Sequence, residues 1–221
     1  MTHPCAKFSD ELLPEALDLI DDATSFEDFP EHPTLLDPFA GTGKGVDYMR
    51  AHGYRAIGVE LEPEWATLSP NVIVGNALCL PFEPGTFDVV FTSPTYGNRM
   101  ADKDKRPSVA GTYMKSLGRE ASEGSSCHLQ WGDKYRHFHE QAWREVHRVL
   151  KPGGIFVLNV KDHPRNKQVQ RVTDWHVAVC EGIGFEVQTA RKVKCPGNKR
   201  GTNKDSAIEH EWLVLMRKVE K

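Results

Sequence analysis

The stretch Leu35-Leu36-Asp37-Pro38-Phe39-Ala40-Gly41-Thr42-Gly43-Lys44-Gly45 constrains the fold more than any other. Two apolar residues run into an acid, a glycine-punctuated turn comes next, and Val46, Tyr48 and Met49 open an amphipathic segment. This is the pattern of a buried strand, a tight turn and a helix, the junction at which open parallel sheets bind nucleotide-like ligands. Gly41 and Gly43 give the turn access to positive φ and let a ligand approach the backbone with no Cβ in between. Glycine turns of this kind also arise for steric reasons alone, so the meaning of this one depends on the strands and motifs downstream of it.

Strand and helix patterns alternate along the rest of the chain. Asp10 to Ala23 carries Leu12, Leu13, Ala16, Leu17 and Ile20 at helical spacing, with Pro14 in the first turn, where its missing N–H costs little. Ser25 to Pro33 reads as a loop. Tyr54 to Val59 predicts a second strand ending at Glu60, and Val72 to Val74 a third, ahead of Gly75-Asn76-Ala77. Phe87 to Thr92 is an almost unbroken apolar run, the kind that parallel sheets bury on both faces. His137 to Leu150 predicts a helix stopped by Lys151-Pro152-Gly153-Gly154, and Ile155 to Val160 a fifth strand. A helix over Val172 to Ile183 precedes two closing strands, Phe185 to Val193 and Glu211 to Met216. The expectation is a single α/β domain over residues 1–221, a doubly wound and mostly parallel seven-stranded sheet. Two last strands with no helix between them predict a C-terminal antiparallel hairpin.

Composition narrows the partners. A length of 221 residues suits one full core, and a net charge of -3 gives no global basic signature. No apolar run is long enough to span a membrane, and the acidic N-terminus lacks a leader pattern. The five cysteines are scattered and never form a CxxC pair, which points away from disulfides and structural zinc and towards a reducing cytoplasm. None of the ten histidines has a ligand spacing. His137 and His139 sit two apart and read as surface or loop residues, and no metal is expected.

Glu60 lies roughly twenty residues past the glycine turn, at the tip of the next strand, where a carboxylate can accept from ribose hydroxyls. With Ser93-Pro94-Thr95-Tyr96 after the fourth strand and Glu145-Val146-His147-Arg148-Val149-Leu150-Lys151-Pro152-Gly153-Gly154 later, the chain resembles a known family. It is similar to class I S-adenosylmethionine-dependent methyltransferases, specifically the amino-methylating DNA methyltransferases. Asp37 to Gly43 matches the DPFxGxG cofactor motif, and Ser93 to Tyr96 matches the catalytic motif with Thr95 in place of its second proline. The resemblance covers roughly residues 33–96 and 137–216 and implies a Rossmann-like sheet. It implies that Phe39, Ala40, Gly41, Thr42 and Gly43 cradle the methionine part of S-adenosylmethionine, that Asp37 reaches its amino group, and that Glu60 holds the ribose. Asn76, with Ala77, stands where the family often has an aspartate facing adenine. An asparagine can still pair there through its carbonyl.

An exocyclic base amine is a poor nucleophile because its lone pair is delocalised into the ring. Two acceptors on its hydrogens, the Ser93 hydroxyl oxygen and the Pro94 carbonyl, would free that lone pair. Holding the amine at near-attack distance supplies much of the remaining acceleration. Tyr96 would stack on a base drawn out of the duplex. Serine at the first position leans towards N4-cytosine, with N6-adenine next. Thr95 relaxes the turn that a proline would stiffen, without removing either acceptor.

Two basic segments suggest nucleic-acid contacts. The insertion over 97–136 carries Arg99, Lys103, Lys105, Arg106, Lys115, Arg119, Lys134 and Arg136, with Tyr113, Trp131 and Tyr135 as stacking surfaces. It is expected to act as a lid and recognition element. From Val187 to Lys204 there is no acid, while Arg191, Lys192, Lys194, Lys199, Arg200 and Lys204 are cationic, which suits phosphate contacts. Arg99, Lys103, Arg106, Lys194, Lys199 and Arg200 are the candidate contacts. The expected function is methyl transfer from S-adenosylmethionine to an exocyclic amine of DNA. An RNA base N-methyltransferase and a catalytically silent nucleic-acid-binding module remain as alternatives.

Overall fold

Alternation along the strands decides the layers of the molecule. Leu35, Val89, Phe91, Ile155, Val157, Leu213 and Leu215 pack into one apolar cluster, while Leu36, Val90, Phe156, Leu158, Val214 and Met216 pack into another. Successive strand residues point to opposite faces, so each strand feeds both clusters and the sheet must be covered on both sides. The computed structural model describes residues 11–25, 28–97, 113–195 and 208–219.

The elements are α1 (Leu12–Thr24), β1 (Thr34–Asp37), α2 (Lys44–Ala51), β2 (Arg55–Glu60), α3 (Pro63–Ala66), β3 (Val72–Val74), β4 (Phe87–Thr92), α4 (Tyr113–Leu117), α5 (Asp133–Val149), β5 (Leu150–Val160), β6 (His163–Arg165), β7 (Gln168–Gln170), α6 (Val172–Ile183), β8 (Phe185–Lys194) and β9 (His210–Lys218). Seven strands form one sheet in the order β3-β2-β1-β4-β5-β9-β8, and β6 pairs with β7 as a separate ribbon. β1 to β5 run parallel, while β9 is antiparallel to both β5 and β8. α1 and α2 cover the first cluster, and α5 and α6 the second. The expected doubly wound sheet with its closing hairpin is the one observed. Among the described residues, no helix is long and apolar enough to cross a membrane.

The chain winds outward from β1 through β2 to β3 and then returns to place β4 on the other side of β1. The strand order therefore reverses between β1 and β4, and a crevice opens at their carboxyl ends. Asp37 ends β1 and Thr92 ends β4, so the glycine turn and Ser93 leave the sheet side by side.

Three local expectations need correction. α5 begins at Asp133, so the end of the supposed insertion belongs to this helix. Its inner face buries His139 completely, with Tyr135, Ala142, Trp143 and Val146, so His139 is a core residue rather than a surface one. Lys151 to Gly154 does not separate helix from strand, because Leu150 already pairs with Phe87 and the extended backbone continues through a register shift.

The glycine turn is fixed by a close approach. Gly43 has φ +81, and a Cβ there would lie 2.5 Å from the Ser69 Cβ and 2.9 Å from a Val72 methyl. Gly41 has φ +55 but faces open space. Gly43→Ala is expected to cost about 2–3 kcal/mol, from strain plus overpacking, against about 1 kcal/mol for Gly41→Ala from strain alone. Urea denaturation of the two variants checks the difference.

Candidate active site

The turn after β1 is held by its own backbone. Ala40 N donates to Val59 O at 3.0 Å, and Gly43 N to Ala40 O at 2.9 Å. Gly41 N donates to Glu60 Oε2 at 2.8 Å, and Glu62 N to Glu60 Oε1 at 2.8 Å. The Glu60 carboxylate is thereby aimed across the crevice, with a further lone pair on each oxygen for an incoming hydroxyl. A cleft of about 870 Å³ runs over this turn, bordered by Phe39, Ala40, Gly41, Thr42, Glu60, Asn76 and Ala77. On the far side of the strand reversal the same cleft is bordered by Ser93, Pro94, Thr95, Tyr96 and Glu211. The structure thus brings the two sequence motifs into one cavity.

Not every expected residue reaches its wall. Asp37 is buried behind the turn, where its Oδ1 accepts from Thr92 Oγ1 at 2.6 Å and from Phe39 N at 3.0 Å. Gly43 lies beneath the turn, against Ser69. Asn76 borders the cleft, and its Oδ1 already accepts from Leu78 N at 2.9 Å, leaving one lone pair for an amino group.

The segment expected to act as a lid contributes a roof to the cleft. Tyr113 and residues Gly124 to Cys127 border it from above. Glu62, only 1% exposed, accepts from Ser122 N at 2.9 Å, Ser122 Oγ at 2.8 Å and Arg119 Nη2 at 2.8 Å. Arg119 also grips Glu64 through Nε at 2.7 Å and Nη2 at 2.6 Å. Arg119 is therefore a clamp for the roof and not a free cation for phosphate. Tyr113 packs against Trp65, and the Tyr135 hydroxyl meets His176 at 3.1 Å in the core, so neither ring is an exposed stacking surface.

A second polar network joins Ser93 and Tyr96 to two residues outside any motif. Asn159 on β5 and Glu211 on β9 are buried polar residues inside apolar strands. Asn159 Nδ2 lies 2.9 Å from Ser93 Oγ, 2.8 Å from Tyr96 Oη and 2.8 Å from Glu211 Oε2. The Tyr96 hydroxyl donates to Glu211 Oε2 at 2.5 Å. A buried polar side chain must find partners, and this requirement was the available signal at both positions.

The basic segments are only partly in view. Arg99, Lys103, Arg106, Lys199 and Arg200 lie outside the described residues. Lys194 is exposed at the end of β8. Arg191 is compensated by α1, with Nη1 2.9 Å from Glu15 and 2.6 Å from Asp18. The Lys192 ammonium lies 5.0 Å from the centre of the Trp212 ring.

Electrostatics suit a cationic ligand. Burial pushes the Asp37 carboxyl up to about 6 and the Glu60 carboxyl up to about 7. A positive charge brought into the cleft would favour both anions. An open face at Gly41 and spare acceptor capacity at Glu60 and Asn76 fit the parts of S-adenosylmethionine.

Comparison with known proteins agrees with this arrangement. A DNA methylase family model matches residues 87–221, and a methyltransferase domain model matches residues 36–99. The type II methyltransferase M.TthHB8I of Thermus thermophilus is 31% identical over 140 residues, which make up 59% of this chain and 30% of that enzyme. The chain thus aligns with less than a third of that relative's length. Among solved structures, a SAM-dependent methyltransferase from Methanosarcina mazei superposes with a TM-score of 0.58 at 15% identity, over 92% of this chain and 98% of that one. The 1,6-didemethyltoxoflavin-N1-methyltransferase of Burkholderia thailandensis gives 0.55 at 16%, over 94% and 78%. At such identities the likeness is one of fold.

Glu60 carries its own test. Its raised pKa means that the folded chain keeps a proton that the unfolded chain loses, so ionising Glu60 removes stability as pH rises from about 4.5 to about 7. Glu60→Gln has no such proton. The stability difference between variant and wild type should move in the variant's favour across that window, by up to about 3 kcal/mol. Urea melts at several pH values measure it, and calorimetry should show weaker binding of S-adenosylhomocysteine by the variant.

Proposed function

The chain belongs to the DNA methylase family, and from that premise we propose that it transfers a methyl group from S-adenosylmethionine to an exocyclic amino group of a DNA base. N4 of cytosine is the favoured position, with N6 of adenine next. The observation that carries this reading is the meeting of Ser93-Pro94-Thr95-Tyr96 and the glycine turn in one cleft. S-adenosylmethionine, when bound, supplies an electrophilic methyl group.

The chain's residues have three tasks. The glycine turn leaves room for the ligand at Gly41, and Glu60 accepts from the ribose hydroxyls. Glu62 and Glu64 hold the roof closed through Arg119, which lowers the local dielectric and strengthens every polar contact beneath. Ser93 Oγ and the Pro94 carbonyl then take the amine hydrogens and turn the nitrogen lone pair towards the methyl group. Asn159 fixes the Ser93 oxygen from behind, so the acceptor is oriented before the base arrives. Tyr96 borders the cleft with its hydroxyl anchored inward, which leaves its ring to support a base. Lys194, with Arg99, Lys103, Arg106, Lys199 and Arg200, is assigned to phosphate contacts, whose strength should fall steeply with salt.

Labelled S-adenosylmethionine incubated with unmethylated DNA and with total RNA, followed by nucleoside mass spectrometry, tests the reading. The expected product is N4-methylcytosine or N6-methyladenine in DNA. Ser93→Ala should bind S-adenosylhomocysteine normally and lose about 10²-fold or more in transfer rate. Label in RNA alone would move the substrate to RNA. Normal cofactor binding with no label in either polymer would favour a silent module.

A further inference from the structure

The ribbon of β6 and β7 is built to present its tip. His163, Pro164 and Arg165 pair with Gln170, Val169 and Gln168, and Asn166 and Lys167 form the two-residue turn between them. Both turn residues have positive φ, 51° and 62°, the hairpin geometry whose twist matches that of the flanking strands. The base of the ribbon is closed by Thr173 N, which donates to Asp162 Oδ1 at 2.8 Å, and by the buried His163. Beyond that base, Arg165 to Val169 are exposed without interruption. The stretch from His163 to Arg171 carries three cations and no acid, in a chain whose net charge is -3.

The ribbon stands beside the Ser93 end of the cleft. Leu158 on β5 pairs with Thr92 on β4, so both strands finish at the end of the sheet where Ser93 leaves it. β5 ends at Val160, and the ribbon begins three residues later. A second route joins the same two places. Trp131 N donates to Gly97 O at 2.8 Å, and Trp131 O accepts from Arg165 Nη1 at 3.4 Å. Gly97 has no room for a side chain, since a Cβ there would lie 2.9 Å from the Tyr135 ring and 3.0 Å from Trp131 N. Arg136 lies over the Trp131 ring, its Cζ 4.6 Å from the centre. Arg136 and Arg171 are each paired with a nearby acid, Asp133 at 3.0 Å and Asp174 at 3.2 Å. Arg165 instead meets a carbonyl, a contact that leaves its charge uncancelled.

We propose that this ribbon enters the major groove of the substrate duplex, where Arg165, Asn166 and Gln168 contact base edges beside the extruded base. The proposal rests on the reading of the chain as a DNA base methyltransferase. The major groove is about 12 Å wide and about 8.5 Å deep and admits a two-stranded ribbon, while a minor groove about 6 Å wide does not. Three paired residues at about 3.3 Å each give the ribbon a reach of about 10 Å, close to that depth. The side chains at its tip are ones that the groove can use. Arginine donates twice to O6 and N7 of guanine, and asparagine or glutamine pairs with N6 and N7 of adenine. Lys167, between them, suits a phosphate. Arg165 and Gln168 lie directly opposite each other, with Cβ atoms about 5 Å apart, close enough to address adjacent base pairs about 3.4 Å apart. An RNA duplex has a deep, narrow major groove that excludes side chains, so the same ribbon favours DNA. An ordinary solvated hairpin would show the same exposure, but it would give the reaction no sequence preference.

Full-length wild type, Arg165→Ala, Gln168→Ala and Lys167→Ala would methylate a randomised, unmethylated duplex, and the sequence flanking each methylated base would be determined. Wild type is expected to favour particular flanking base pairs. Arg165→Ala and Gln168→Ala should each bind S-adenosylhomocysteine as wild type does, lose about tenfold or more on the preferred sequence, and accept any base pair at one flanking position. Lys167→Ala should weaken all sequences alike and flatten the salt dependence. A preferred duplex carrying 7-deazapurines, which lack the N7 acceptor in the major groove, should cost wild type a similar factor and cost Arg165→Ala little. Arg165→Ala and Gln168→Ala proteins with the flanking preference of wild type overturn the proposal, whether their rates are unchanged or uniformly lower. Should those variants fail to fold, a wild type indifferent to 7-deazapurines overturns it equally. A wild type that methylates DNA without regard to flanking sequence sinks the ribbon's role and leaves the DNA methyltransferase reading standing. Label in RNA and none in DNA sinks that reading and the ribbon's role with it.

Discussion

The hydrogen bond from Thr92 to Asp37 holds the two halves of the site in register. It crosses the point where the strand order reverses, joining the last residue of β1 to the last residue of β4. Apolar packing alone sets how far apart those strands lie, but it is non-directional. A 2.6 Å bond between a carboxylate and a hydroxyl also sets their relative rotation. The same Asp37 oxygen accepts from Phe39 N, so the glycine turn is oriented by the residue that orients Thr92. Ser93 is the next residue. The glycine turn after β1 and the turn that begins at Ser93, more than fifty residues apart in sequence, thus share one anchor.

On either side of that anchor the cleft is finished by a set of polar contacts. Glu62, Glu64, Arg119 and Ser122 fasten the roof on one side, and Ser93, Tyr96, Asn159 and Glu211 form the floor on the other. A hydrogen-bonded network specifies geometry in a way that apolar side chains do not, although in the floor the buried Asn159 Oδ1 has no partner. The charged groups come in unlike surroundings. Glu62 meets a guanidinium, whereas Glu211 meets the neutral donors Tyr96 and Asn159.

Much of this was legible in the sequence, and the failures have definite causes. β3, β4 and α6 fall where periodicity placed them, because each has one dominant apolar pattern. The place of Glu60 beside the glycine turn was legible because its distance from that turn is set by the length of one helix and one strand. Asn159 and Glu211 were not, because a single polar residue inside an apolar strand says that a partner exists without saying which one. His139 was misjudged because the start of α5 was placed too late, and the aromatic face of its first turns was left out of the pattern. Charge was the least transferable signal. Arg191 looked free in a segment without acids, but its counter-ions come from α1, some 170 residues earlier.

The place of β9 in the sheet bears on how the molecule can be born. β5 must wait for β9 as its neighbour, yet β8 is synthesised first and can reach the sheet only through β9. A growing chain on the ribosome can lay down β1 to β5 in order, but it then carries an open edge at β5 and an unattached β8. Such long-range pairing is slow and leaves strand edges exposed while it is pending. Because Glu211 sits on β9, the polar floor is completed by the same event that closes the sheet. A nascent chain can therefore own its glycine turn well before it owns the polar floor of the cleft.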